Sequence, residues 1–247
     1  MLNGLEIFLR TTEFSVFAWN TYSEHLANCD RIKNIRLLIF AIMSPTFTLD
    51  DIPPDEIYVL DTETTGLDGA PMDLVLDIGI CKVSLREGTV EDWYSSVLGY
   101  DVEWWDDRLL NSWIFQNSDL TVDDIAFARK SAMQVIDEVR RLLKGKNVTT
   151  YNTVYDLGKF LYQEPWSMRG WFNECTDIMK AATPVCKVPS TRGYSDYQYP
   201  RLEVAYEKIT EGDPAGLHGK QDHRALSDAR AASWVMIQMF KDGTYRP

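Results

Sequence analysis

The feature that most constrains the fold is a short apolar stretch that runs directly into two carboxylates. Residues 57–60 are apolar and rich in β-formers, and Asp61 and Glu63 follow them. Pro54 precedes the stretch and Gly66 follows it, so both of its ends are marked. Because side chains alternate between faces along a strand, this pattern predicts a buried β-strand with both carboxylates on one face.

Two such carboxylates repel each other and lose water when they are buried together. Asp61 and Glu63 must then either hold protons or bind a cation. A divalent metal ion offsets the repulsion between the two carboxylates and also replaces their lost water. A solvated acidic strand end is the alternative interpretation, and an Asp-x-Glu pair taken alone favours it. Residues farther along the chain distinguish a metal site from a solvated strand end.

Composition restricts the class of protein. The chain has 247 residues, of which 45% are hydrophobic, so it can form a large core. Its net charge of −12 argues against a broad basic surface that clamps nucleic acid.

The four cysteines lack Cys-x-x-Cys spacing, which argues against a zinc site and favours reduced thiols in the cytoplasm. The longest uncharged apolar stretch, residues 37–49, is too short to span a bilayer, and we therefore expect a cytoplasmic protein without a membrane partner.

The N-terminal fifth of the chain is weakly organised, although residues 35–42 are compatible with a helix that docks on the main domain. We interpret residues 1–50 as an extension without an assigned structure and residues 51–247 as the main domain. The pattern changes at Met43, which leads to the hypothesis that the functional protein begins there. The intact mass of natively expressed protein tests this, and a mass that matches all 247 residues would refute it.

The order of the predicted elements defines the sheet. Strands are predicted at 74–85 and 90–98, joined by a turn at 86–89, which gives an antiparallel meander. A single helix is predicted between the Thr121–Asp124 capping box and Gly145, followed by a strand at 146–151. A helix between two strands implies a parallel crossover.

With a further short strand at 174–177, the sequence predicts an α/β fold with a mixed five-stranded sheet and helices packed on it. The expected strand arrangement is an antiparallel meander first and parallel strands later.

Two later helices carry further carboxylates. Asp156 falls in the first turn of a helix that follows Asn152, where a capping role and a functional role are equally compatible with the sequence. The segment 223–240 is helical, and Asp228 heads the apolar stripe that faces the sheet. A carboxylate in that position is costly unless it is paired or bound to a metal. His223 lies at or just before the start of this helix.

Three short motifs now combine into a specific resemblance. Asp61-Thr-Glu63-Thr-Thr-Gly, Asn152-x-x-x-Asp156 and His223-x-x-x-x-Asp228 resemble the three exonuclease motifs of the DEDDh family of 3′-5′ exonucleases. That family has a ribonuclease H-like fold and includes polymerase proofreading subunits. The resemblance spans residues 56–240 and departs from the family pattern in residues 1–50 and 162–199.

The resemblance implies a two-metal mechanism with Mg²⁺ or Mn²⁺ as the two divalent cations. Asp61 would bridge both ions, and Glu63 and Asp228 would complete the site of one of them. Asp156 would act directly or through a coordinated water molecule. His223 would be the general base, a role that suits an imidazole because its ordinary pKa is near 6.5.

The resemblance also implies a substrate. Thr64, Leu67 and Asn152 match positions that hold the terminal nucleotide in relatives. The expected reaction is hydrolysis from the 3′ end of single-stranded DNA with release of nucleoside 5′-monophosphates, and a polymerase or repair partner is compatible with it. A 3′-5′ exoribonuclease and a non-catalytic nucleic-acid binding module remain alternatives. Local cations that could contact the backbone, or be ordinary surface charges, are Lys180, Lys187, Arg192, Lys220 and Arg224.

Overall fold

The computed structural model describes residues 54–191, 196–218 and 222–247. The predicted extension at 1–50 and the proposed start at Met43 lie outside the described residues, as do Arg192 and Lys220. No helix in the three described ranges combines the length and the apolar character that crossing a membrane requires.

In the described part of the chain, five strands form one mixed sheet in the order β3-β2-β1-β4-β5. The β1–β2 and β2–β3 pairs are antiparallel, whereas β1–β4 and β4–β5 are parallel. The predicted fold class is therefore confirmed. The strands are β1 Glu56–Thr64, β2 Val75–Ser84, β3 Thr89–Val97, β4 Asn147–Thr150 and β5 Asn173–Glu174.

Helices cover both faces of this sheet, and the described residues include a 3₁₀-helix, Val102–Trp104, and a π-helix, Val154–Leu161. The α-helices are α1 Asp107–Leu110, α2 Trp113–Asn117, α3 Val122–Ala126, α4 Ala132–Leu143, α5 Ile178–Cys186, α6 Leu202–Ile209 and α7 Ala225–Lys241. The first core lies between the sheet and α5, α6 and α7, and the second lies between the sheet, α4 and the π-helix.

Strand β1 is central because its side chains fill both cores in alternation. Ile57 and Val59 pack in the core beneath α7, and Tyr58 and Leu60 pack in the core beneath α4. Fully burying an aliphatic side chain of this size contributes roughly 1.5–3 kcal/mol, so the register of β1 is strongly fixed. The same alternation turns Asp61 toward the α7 side.

The single helix predicted between Thr121 and Gly145 is wrong, because the structure has two helices there, α3 and α4. A second capping box, formed by Ser131 and Gln134, starts α4. Between the two helices the backbone bonds to the end of β3 instead: Gly99 N donates to Lys130 O, and Ala132 N donates to Gly99 O. Tertiary hydrogen bonding therefore interrupts a pattern that is locally helical.

Two further differences concern the second half of the chain. The helix expected after Asn152 is a π-helix, and the strand expected at 174–177 is the two-residue β5. The sequence predicted neither helix α5, which lies within the departing region 162–199, nor helix α6, which follows that region.

Candidate active site

A cavity of about 170 Å³ opens where the carboxyl ends of the parallel strands β1 and β4 meet the start of α7. All five residues predicted to be catalytic line this cavity, and so does Asn152. The lining consists of Asp61, Thr62, Glu63, Tyr151, Asn152, Tyr155, Asp156, Leu202, His223 and Asp228. Residues from a strand, a π-helix and an α-helix that are distant in sequence therefore converge.

The close approach of α7 to the sheet depends on Gly79. This residue lies opposite Asp61 in the β1–β2 register. A Cβ atom at this position would lie 2.2 Å from the backbone nitrogen of Leu226, in the first turn of α7. Because glycine has no side chain, α7 can lie directly on β2, and Asp228 is thereby brought to the cavity.

Glu63, His223 and Asp228 form a close group of potential metal ligands within the described part of the chain. One ligand atom from each residue lies within 4.8 Å of the others. Asp228 is 1% exposed, and its carboxylate lies close enough to that of Glu63 to raise the pKa of Glu63. The two carboxylates suit a hard divalent cation such as Mg²⁺ or Mn²⁺, and the imidazole lies beside them.

Asp156 is held by a hydrogen bond from β1. Thr62 Oγ1 donates a hydrogen bond of 2.7 Å to Asp156 Oδ1. Burial raises the pKa of Asp156 to about 6, although hydrogen bonds such as the one from Thr62 oppose that shift. The sequence left open that Asp156 is only an N-terminal helix cap. A capping role does not account for the long-range contact with Thr62.

The carboxylates disfavour one another's charged forms. Burial raises the pKa of Asp61 well above its ordinary value, and the nearby charges of Asp156 and Asp228 add to the effect. Burial and the Asp228 charge likewise raise the pKa of Glu63 to about 9. Removing this repulsion requires either protons or positive charge, and the oxygen-rich donor set fits a divalent cation.

His223 lies in the segment that precedes α7, as predicted, with a φ of 54° in the left-handed region. Its ring meets the ring of Trp113 edge to face, with centroids 4.8 Å apart.

Arg224 forms an ion pair of 2.9 Å with Asp77, which is 1% exposed. The prediction of Arg224 as a local cation is therefore modified, because its guanidinium group is already engaged by the protein.

Two of the predicted substrate-binding residues lie outside the lining of the cavity. The Thr64 hydroxyl donates to Gly66 O and shares a hydrogen bond of 2.5 Å with the Tyr155 hydroxyl. Leu67 is 73% exposed on the loop that follows β1, and its carbonyl accepts a hydrogen bond from Lys159. Thr64 directly follows the cavity residue Glu63, Leu67 lies a few residues farther along the chain, and the roles of both stay predictions.

Sequence reasoning missed four of the residues that line the cavity, namely Thr62, Tyr151, Tyr155 and Leu202. Thr62 and Tyr155 are neighbours of predicted residues, so inspection of the motifs could have found them. Leu202 begins α6, about fifty residues from the nearest motif on its N-terminal side, and no sequence pattern connects it to the site.

Comparison with known proteins gives structural matches only. No protein-family model matches the sequence, and no curated protein matches it. A full-length 3′-exonuclease structure is similar with a TM-score of 0.55 at 18% identity, covering 79% of this chain and 63% of that one. The nuclease domain of 3′hExo, a DEDDh family member bound to rAMP, is similar with a TM-score of 0.53 at 17% identity.

The 3′hExo match covers 78% of this chain and 95% of that domain. E. coli Exonuclease I in complex with a dA16 oligonucleotide is similar with a TM-score of 0.53 at 13% identity, over 76% of this chain and 41% of that one. The chain thus spans less than two thirds of the full-length 3′-exonuclease and of Exonuclease I. Its described part has the fold of the DEDDh-type 3′-exonucleases.

Proposed function

We propose that this protein is a divalent-cation-dependent 3′-5′ exonuclease that hydrolyses the last phosphodiester bond at the 3′ end of single-stranded DNA. The observation that carries the proposal is the convergence of Asp61, Glu63, Asp156, Asp228 and His223 on one cavity. A nucleic-acid binding module has no need to hold four carboxylates together at the cost of mutual repulsion. The shared fold with known 3′-exonucleases supports the same conclusion.

Asp61, Glu63, Asp228 and Asp156 are the residues that would hold the cations. When bound, two Mg²⁺ or Mn²⁺ ions stabilise charge on the phosphate and on the leaving 3′-oxygen, and they lower the pKa of the attacking water. Thr62 fixes the Asp156 carboxylate through its hydrogen bond, so the orientation of that side chain is set before substrate arrives.

His223 is the proposed general base. The oxygen of a water molecule forms a bond to phosphorus while the water proton passes to the imidazole. The bond between phosphorus and the 3′-oxygen breaks, and the 3′-oxygen leaves with the electron pair and takes a proton from solvent. The products are a nucleoside 5′-monophosphate and a strand that is one nucleotide shorter. Asn152 lies in the cavity wall next to Tyr155, where we place the terminal nucleotide. We assign Thr64, at the end of β1, and Leu67, on the loop that follows, to positions that flank that nucleotide.

RNA is the second candidate substrate, because the similar 3′hExo domain was solved with rAMP whereas Exonuclease I was solved with DNA. The choice between DNA and RNA depends on contacts to the 2′-hydroxyl. A polymerase or repair protein as a binding partner remains part of the proposal. We also place the protein in the cytoplasm, because the cysteines of the described residues, Cys81, Cys175 and Cys186, are free thiols.

The test uses 5′-labelled single-stranded DNA and RNA of one sequence, incubated with the full chain and Mg²⁺ or Mn²⁺. We expect a ladder that shortens from the 3′ end, with DNA degraded faster. His223→Ala should slow the reaction by about 10²–10⁴-fold, the usual contribution of a general base. His218→Ala is the matched control, because His218 is 86% exposed and its ring bonds to Asp213.

Binding of the oligonucleotide without any cleavage would contradict the proposal and favour the binding module. Faster cleavage of RNA than DNA would replace the DNA preference with the exoribonuclease alternative. Equal rates for wild type and His223→Ala would refute the role of His223 as general base.

A further inference from the structure

Trp113 stands out among the large exposed apolar side chains because it contacts a candidate catalytic residue. It is 58% exposed on α2, and its ring meets the His223 ring at 84° with centroids 4.8 Å apart. Trp104 lies in the same connecting segment and is 84% exposed. An edge-to-face contact between aromatic rings is favourable beyond burial alone, so it favours one orientation of the His223 ring.

The backbone on both sides of His223 is already fixed by other contacts. On the C-terminal side, Arg224 Nε donates to Asp77 Oδ2 at 2.9 Å, and Ala225 N donates to the same oxygen at 3.4 Å. On the N-terminal side, the Asp222 carboxylate accepts from Arg224 N and from the Ser227 hydroxyl. The remaining freedom of His223 is therefore rotation of its side chain, and Trp113 restricts that rotation.

The support behind Trp113 is itself rigid. Ile114, the next residue in α2, is 2% exposed and packs with Leu76 of β2 in a small separate core. Phe115 contacts Trp105 with ring centroids 6.4 Å apart. Because α2 is anchored to the sheet on this side, the Trp113 ring has a fixed surface from which to hold the imidazole.

We propose that Trp113 is a positioning residue for His223. The inference rests on the proposed function of the same site and deepens it. The Asp77–Arg224 pair fixes the backbone of residue 223, and Trp113 fixes the orientation of its ring toward the cavity. Misplacing a reacting group by about 1 Å can cost on the order of 100-fold in rate, so a small side-chain contact can have a large kinetic effect.

The first test measures kcat and KM for wild type, Trp113→Ala, Trp113→Phe and the matched control Trp104→Ala. We expect Trp113→Ala to lower kcat by about 10- to 100-fold while KM changes by less than about threefold. Trp113→Phe keeps an aromatic ring and should restore most of kcat, and Trp104→Ala should match wild type. If Trp113→Ala raises KM alone, the residue contacts substrate directly and the inference is overturned.

The second test asks whether Trp113 acts through His223. In a His223→Ala background, Trp113→Ala should lower the residual rate by less than about twofold, because there is no longer a ring to orient. Independent, multiplying effects of the two substitutions would overturn the inference.

A third readout does not depend on activity. The chain has three histidines, and the ring CH resonances of His223 are assigned by their loss in His223→Ala. Trp113→Ala should shift these resonances and Trp104→Ala should leave them in place. A wild-type protein without nuclease activity refutes the proposed function and this inference together. An active wild type with unchanged kcat in Trp113→Ala refutes this inference alone.

Discussion

Glu63 links the stability of the protein to pH. Its ordinary pKa of 4.5 rises to about 9 in the folded state, through burial and the neighbouring Asp228 charge. Between these values the folded protein retains a proton that the unfolded chain releases. The contribution to stability is therefore complete below about pH 4.5 and is lost as the pH rises toward 9. The raised pKa values of Asp61 and Asp156 act in the same direction.

We predict that the metal-free protein has a melting temperature several degrees higher at pH 5.5 than at pH 8.5. Glu63→Gln cannot ionise at this position and should flatten that dependence. Asp119→Asn, which changes an exposed aspartate, should keep the wild-type slope. Thermal unfolding in the presence of a chelator measures this, and a melting temperature that rises between pH 5.5 and 8.5 would contradict the account.

At the scale of elements, Gly79 determines how closely α7 lies against the sheet. An added Cβ would meet backbone atoms of Leu226 at 2.2 and 2.3 Å, and backbone cannot move aside as a flexible side chain can. Both His223 and Asp228 belong to the segment that would be displaced. The glycine therefore affects the site even though its own position carries no side chain.

Gly79→Ala is predicted to lower the free energy of unfolding by about 1–3 kcal/mol, the usual range for overpacking. It should also abolish most nuclease activity. Gly158→Ala is the matched control, since its Cβ would approach no atom closer than 3.7 Å. Denaturant unfolding and the oligonucleotide assay measure both effects. A Gly79→Ala protein as stable and active as Gly158→Ala would show that α7 can shift without consequence.

The elements that the sequence predicted well are those whose own periodicity determines them. Strand β1 and helix α7 follow from local patterns, and Asp61 and Asp228 are recognisable because each is a charge at the end of an apolar run. The break between α3 and α4 depends on hydrogen bonds to Gly99, and the contact of Trp113 with His223 joins residues 110 positions apart. Such long-range contacts leave no local signal in one sequence.

For the whole molecule, the net charge of −12 limits how the protein can hold a nucleic acid. A strand held mainly at its 3′ end makes few contacts between phosphates and cationic side chains. We predict that the apparent affinity for single-stranded DNA falls by less than about tenfold between 50 and 200 mM salt, as two phosphate contacts would give. Binding measured by fluorescence anisotropy checks this. A loss of a thousandfold would indicate an extensive basic groove and contradict the account.

The central claim is that the cavity carboxylates form a divalent-cation site beside the general base His223, and calorimetric titration of the metal-free protein with Mn²⁺ tests it most directly. Wild type should bind up to two ions per chain, and Asp119→Asn should bind them with the wild-type affinity. The Glu63→Gln protein should stay folded. Its affinity for Mn²⁺ should be lower by about tenfold or more, because the substitution removes a charged oxygen ligand. Absence of Mn²⁺ binding in the wild type, or the same affinity in Glu63→Gln, would contradict the claim.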